Sequence, residues 1–70
     1  MRYAIVIGKT ENDYSACVPD LPWCVATGAT VEETQAQIRE AMEFHLDGLR
    51  EDGASIAQPA SRVEYVEIAA

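Results

Sequence analysis

Three kinds of residue in this 70-residue chain could carry chemistry: one histidine, two cysteines and twelve carboxylates. His45 has no second imidazole, and no cysteine or carboxylate at a metal-ligand spacing, so a zinc site is not expected. It falls on an apolar helical stripe with no nucleophile in sequence reach, which is the setting of a core or interface histidine rather than a catalytic one. Cys17 and Cys24 lack a nearby Lys or Arg that would favour a thiolate. Across a predicted turn they read as reduced, half-buried small residues, and one possible bridge is no disulfide scaffold. Ser15, Ser55 and Ser61 stand in no triad-like context. Gly8-Lys9-Thr10 lacks the upstream glycine of a phosphate loop and reads as a hairpin turn. No enzyme, cofactor or metal is expected.

The carboxylates are more informative. Glu40, Glu43, Asp47 and Glu51 lie three or four residues apart and line one side of a helix. Such a row is either a solvated face or a docking surface for a cationic protein, where like charges speed association and reject other acids. A magnesium-dependent nuclease would need carboxylates clustered inward on strands, and the strands offer only Glu64 and Glu67, near an exposed face. The segment Pro19-Asp20-Leu21-Pro22 must break or bulge a strand, because two prolines three apart cannot both donate to a ladder. It also makes a rigid surface knuckle, continued by Trp23, that a partner could grip. The candidate partner-binding residues are therefore Pro19, Asp20, Leu21, Pro22, Trp23, Glu40, Glu43 and Asp47.

Charge narrows the partner. Twelve acids against five bases give a formal charge of −7. That disfavours a phosphate backbone, whose ligands need a basic face, and an anionic membrane surface; it favours a basic protein. No apolar run approaches the ~20 residues needed to span a bilayer. The apolar stretch after Met1-Arg2-Tyr3 is too short for a secretory signal, so a cytoplasmic location is expected. Residues 1–70 make one domain, small enough that a second subunit or partner should contribute to its stability.

The positioning elements read as β-β-β-α-β, an α+β unit. Residues 2–7 form a strand apolar on both faces, as an inner strand would be. Residues 14–18 and 23–27 form two more. Thr30 with Glu33 three residues on is a capping box, and Gly53 is a natural C′ residue, which predicts a helix over residues 31–52. Its apolar stripe runs through Val31, Thr34, Ile38, Ala41, Met42, His45, Leu46 and Leu49. Residues 62–68 form a fourth strand. A right-handed crossover puts it beside and parallel to the first, giving sheet order 3-2-1-4 with the helix on one face. The helix, ~33 Å long, should overhang strands of ~20 Å, leaving Leu46 and Leu49 for an oligomer contact.

The ordered series Tyr14-Ser15-Ala16-Cys17-Val18-Pro19-Asp20-Leu21-Pro22, Cys24, Ala26-Thr27-Gly28 and Thr30-Val31-Glu32-Glu33 resembles the HicB family of type II antitoxins. Ile38-Arg39-Glu40-Ala41, Leu46-Asp47-Gly48-Leu49-Arg50-Glu51-Asp52-Gly53, Ile56 and Pro59 continue the likeness, which covers residues 3–68. The resemblance implies a partial ribonuclease-H-like domain without nuclease activity. It also implies a partner, the HicA toxin: a small basic ribonuclease with a double-stranded-RNA-binding-domain-like fold and a catalytic histidine, whose active site the antitoxin masks. Trp23 stands where the family usually has glycine, and Thr34 where it usually has alanine. Family members often carry a C-terminal DNA-binding domain; with the sequence ending at Ala70, no direct operator binding is expected. A second reading is a homo-oligomeric module, dimer or tetramer, with a structural or regulatory role and no toxin partner.

Overall fold

The computed structural model describes residues 1–69. Its longest element is the helix α1, Val31–Glu51. Thr30 stands in extended backbone, and its hydroxyl accepts the Glu33 amide at 3.0 Å. The Glu33 carboxylate in turn accepts the Ala29 amide at 2.6 Å. That is one residue upstream of the amide on which a capping box ordinarily closes. At the other end Gly53 takes φ +68°, where a side chain would be strained. Its amide bonds the Arg50 carbonyl at 3.2 Å and the Ala54 amide bonds the Leu49 carbonyl at 2.9 Å. These two bonds are the Schellman pattern, which satisfies carbonyls the helix cannot satisfy itself.

Three antiparallel strands, β1 (Val6–Lys9), β2 (Tyr14–Val18) and β3 (Leu21–Gly28), form a sheet in the order β1-β2-β3. Register pairs Val6 with Cys17 and Lys9 with Tyr14. Carried further, it would set Ala4 opposite Pro19, which has no N–H to give, and the ladder stops. The first strand is therefore shorter and later than residues 2–7. Between β2 and β3 the register shifts: Cys17 faces Val25, but Val18 faces Leu21. The extra residues, Pro22 to Cys24, are absorbed as an irregularity in an edge strand, where a proline breaks no ladder on the solvent side.

The core lies between one face of this sheet and α1. Ala16 and Val18 of β2, Leu21 and Cys24 of β3, and Ile38 and Leu46 of α1 are buried together. Tyr3, Ile5, Ile7, Met42, Leu49 and Ile56 pack around them. Helix and sheet meet most closely at Gly28. A Cβ there would lie 2.7 Å from both the backbone nitrogen and the hydroxyl of Thr34, and 3.0 Å from its Cα. Thr34 is fully buried, and its hydroxyl is satisfied by the Thr30 carbonyl at 2.7 Å.

Beyond the helix the chain returns to the turn between β2 and β3. Asp20 clasps it there: its carboxylate accepts the Ala60 amide at 3.0 Å, the Ser61 amide at 2.9 Å and the Ser61 hydroxyl at 2.8 Å. The Tyr3 hydroxyl donates to the Ala57 carbonyl at 2.5 Å, a second tie on the same segment. The Ser61 and Ala60 amides, followed by the Ser61 hydroxyl, hold the Asp20 carboxyl below its ordinary range.

Two expectations are corrected. Residues 62–68 form no strand: they belong to no ladder, and Val63, Tyr65, Val66 and Ile68 are exposed. Residues 62–65 do flank Ala4–Ile7, but across a groove of about 360 Å³ rather than through hydrogen bonds. β1 is consequently an edge and not an inner strand. Nor does the helix leave leucines overhanging. Leu46 is buried in the core, and Leu49 and Ile56 pack against that core.

Two outcomes follow from these contacts. Gly28→Ala should cost about 1–3 kcal/mol in chemical denaturation, as overpacking does. Thr34→Ala should restore only part of the loss, since the clash includes backbone atoms. For Asp20, a folded pKa below the unfolded value of about 3.9 means the clasp stabilises the fold above that pH. The contribution is lost as pH falls through the depressed folded value. The Ser61 amide resonance should accordingly titrate with a midpoint below about 3.9, and Asp20→Asn should abolish that titration.

Candidate partner-binding surface

The side of α1 away from the sheet carries Glu40, Glu43, Asp47 and Glu51, all exposed. In the midst of them is Phe44, 83% exposed. Glu40 one turn before it and Asp47 and Gly48 one turn after it share its face, with Glu51 a further turn on. Nothing lies within 4 Å of where a Gly48 side chain would begin, so one flank of the Phe44 ring stays open. Arg39 pairs with Glu43 at 3.2 Å and Arg50 with Asp47 at 3.3 Å. Exposed pairs of this kind add little stability, but they leave Glu40 and Glu51 as the carboxylates of this face without a cation, among the described residues. Phe44 is thus an exposed aromatic flanked by two unpaired acids, Glu40 and Glu51, and by two that pair with arginines.

The knuckle is divided by the fold. Pro19, Pro22 and Trp23 are exposed, whereas Leu21 is 1% exposed and belongs to the core. Asp20 spends its carboxylate on Ala60 and Ser61. Trp23 reaches across to α1, where its indole N–H donates to Nε2 of His45 and the rings meet edge-on, centroids 5.7 Å apart. This contact brings the exposed end of the knuckle to the helix one residue from Phe44. His45 is thereby half-buried and engaged as an acceptor, which accounts for an imidazole on the edge of an apolar stripe.

The sheet's uncovered face was not singled out from the sequence. Val6, Cys17 and Val25 are consecutive cross-strand neighbours, and all three are exposed beside a shallow groove of about 520 Å³. Phe44 was missed because an aromatic outside the 3.6-residue apolar stripe fits neither a core nor a charge pattern. Of the two thiols, Cys17 is exposed and Cys24 buried, and both are free. Burial pushes the Cys24 thiol pKa up, away from thiolate chemistry. Among the described residues no three of His, Cys, Asp or Glu gather closely enough to hold a metal, and no helix is long and apolar enough to cross a membrane.

The chain is similar to proteins from bacteria, archaea and a phage. A UPF0150 protein of Helicobacter pylori is 42% identical over 65 residues, covering 91% of this chain and 90% of its own length. The 14.9 kDa protein of the rep-hol intergenic region of Haemophilus phage HP1 is 33% identical over 66 residues, 94% of this chain and 50% of its own. Antitoxin HicB 2 of Photorhabdus laumondii is 31% identical over 71 residues, 100% of this chain and 51% of its own. The chain thus spans about half the length of the phage and Photorhabdus relatives and nearly all of the Helicobacter one. No solved structure matches it. The family model described as the HicB-like antitoxin of bacterial toxin-antitoxin systems matches residues 3–69. Matched by that model over nearly its whole length, the chain belongs to the HicB-like antitoxins.

Proposed function

We propose that this antitoxin neutralises a small basic ribonuclease of the HicA type by covering its active site, and that the outer face of α1 makes the central contact. The observation that carries this reading is Phe44, exposed among Glu40, Asp47 and Glu51 on a chain of net charge −7. A ribonuclease active site must be cationic to hold a phosphodiester, so the surface that masks it should be anionic. The apolar ring supplies what charge alone cannot, a desolvated anchor around which screened rim charges set orientation and rate. Pro19, Pro22 and Trp23 would extend the contact from α1 onto the knuckle. Leu21 and Asp20 support it from within, one as core and the other as clasp. The chain itself performs no bond chemistry in this reading, and it needs no cofactor.

The test is co-expression with the basic reading frame beside it in the genome, followed by pull-down and an RNA-cleavage assay. Phe44→Ala should weaken the complex by about 2 kcal/mol, roughly thirtyfold, and release cleavage. Glu40→Lys combined with Glu43→Lys should slow association and flatten its salt dependence while helical circular dichroism is retained. Unchanged affinity with intact helicity would make this face merely solvated, and absence of any complex would defeat the reading.

A further inference from the structure

The chain has five side-chain bases to twelve acids, and the bases are not spread evenly. Three of the five, Arg2, Arg39 and Arg50, line one groove of about 740 Å³ between the start of the chain and α1, where only two of the twelve acids, Glu43 and Asp47, join them. A surface that reverses the sign of the whole molecule gathers anions. The helix fixes the order of charge along it. Arg39 and Arg50 are ~16 Å apart along the axis, and three turns of ~3.6 residues bring them almost into line. Glu43 and Asp47 fall between them, so the sign runs positive, negative, negative, positive. Each arginine spends one nitrogen on its neighbour, Nε of Arg39 on Glu43 and Nη1 of Arg50 on Asp47. The remaining N–H groups of each guanidinium are open to a second carboxylate, since both side chains are more than half exposed. Arg2 is in no ion pair among the described residues. Between the cations lie Met1, which is exposed, and Met42, which is half-buried. The unbranched thioether of methionine adapts its shape to whatever is laid against it.

We infer that this groove binds an acidic peptide segment of a partner protein, held extended, with carboxylates at its two ends and an apolar side chain between them. At ~3.3 Å per residue, the ~16 Å from Arg39 to Arg50 spans about five residues. The carboxylates meet the two guanidiniums, Arg2 supplies a third cation from the other wall, and the apolar side chain lies on the methionines. The two acids in the middle decide against other anions. A free phosphate reaches one guanidinium and leaves the methionines wet. A nucleic-acid strand carries a charge at every nucleotide, so its central phosphates are driven onto Glu43 and Asp47. The ligand is opposite in charge to the basic ribonuclease proposed above and makes no use of Phe44, so the inference is tested without a toxin.

Fluorescence anisotropy on the full chain would use a fluorescein-labelled peptide with two aspartates at each end and a leucine flanked by serines at its centre. Binding should saturate below about 1 mM. A peptide of the same composition with its four aspartates together at the centre should bind roughly tenfold more weakly, and Arg39→Gln combined with Arg50→Gln should cost the first peptide a similar factor. Lys9→Gln removes a cation outside the groove and should change the affinity less than about twofold. Helical circular dichroism should be the same in every variant. No saturation with the wild-type chain would overturn the inference. So would equal binding of the two peptides, equal effects of Lys9→Gln and the arginine pair, or tighter binding of a thymidine hexanucleotide that the arginine pair abolishes. An oligomer of the wild-type chain that the arginine pair dissociates and the peptide leaves intact would make the groove an interface between copies, and would overturn it as well.

Discussion

Thr34, Ile38 and Leu46 press α1 onto the inner side of β2 and β3, and with a single helix available only that side of the sheet is covered. The seam is tight enough that residue 28 has to be glycine, since any side chain would enter the backbone of Thr34. Everything the molecule offers to others is what this one seam leaves over: the far side of the helix, the far side of the sheet, and two strand edges. Small domains seldom bury all their apolar surface, and here the remainder is concentrated rather than scattered. Phe44 is exposed on the outer helix face, Val6, Cys17 and Val25 form a row, and Val63, Tyr65, Val66 and Ile68 are exposed after the helix.

The face of α1 around Phe44 and the edge of β1 are chemically different. Around Phe44 acids outnumber bases, with Glu40 and Glu51 unpaired and Arg39 and Arg50 paired to Glu43 and Asp47. Along β1 the one charged side chain is Lys9, and the groups left at the edge are main-chain N–H and C=O.

How far the sequence discloses this depends on the range of each interaction. The helix and its ends were legible because Thr30, Glu33 and Gly53 act on neighbours three to five residues away. The order 3-2-1 of the first three strands followed from short connections, and the family likeness from motifs in series. The fourth strand was misread for a definite reason: Val63, Tyr65 and Ile68 specify extended backbone, but no local pattern specifies what extended backbone pairs with. Asp20 was read as a partner contact because its own partners, Ala60 and Ser61, lie 40 and 41 residues along the chain. The leucines were misjudged on helix length alone, without the core against which Leu49 and Ile56 pack. Phe44 belongs to no periodic pattern, and only its exposure distinguishes it.

The edge-on contact between Trp23 and His45 has a practical side. The chain has one tryptophan, so its indole emission arises entirely at the corner where β3 meets α1. An imidazole against the ring edge makes that emission sensitive to the separation of strand and helix, and the ring is open enough to be shielded by anything that settles nearby. The molecule thus carries its own optical reporter, placed by the fold where β3 meets α1, and needs no attached dye.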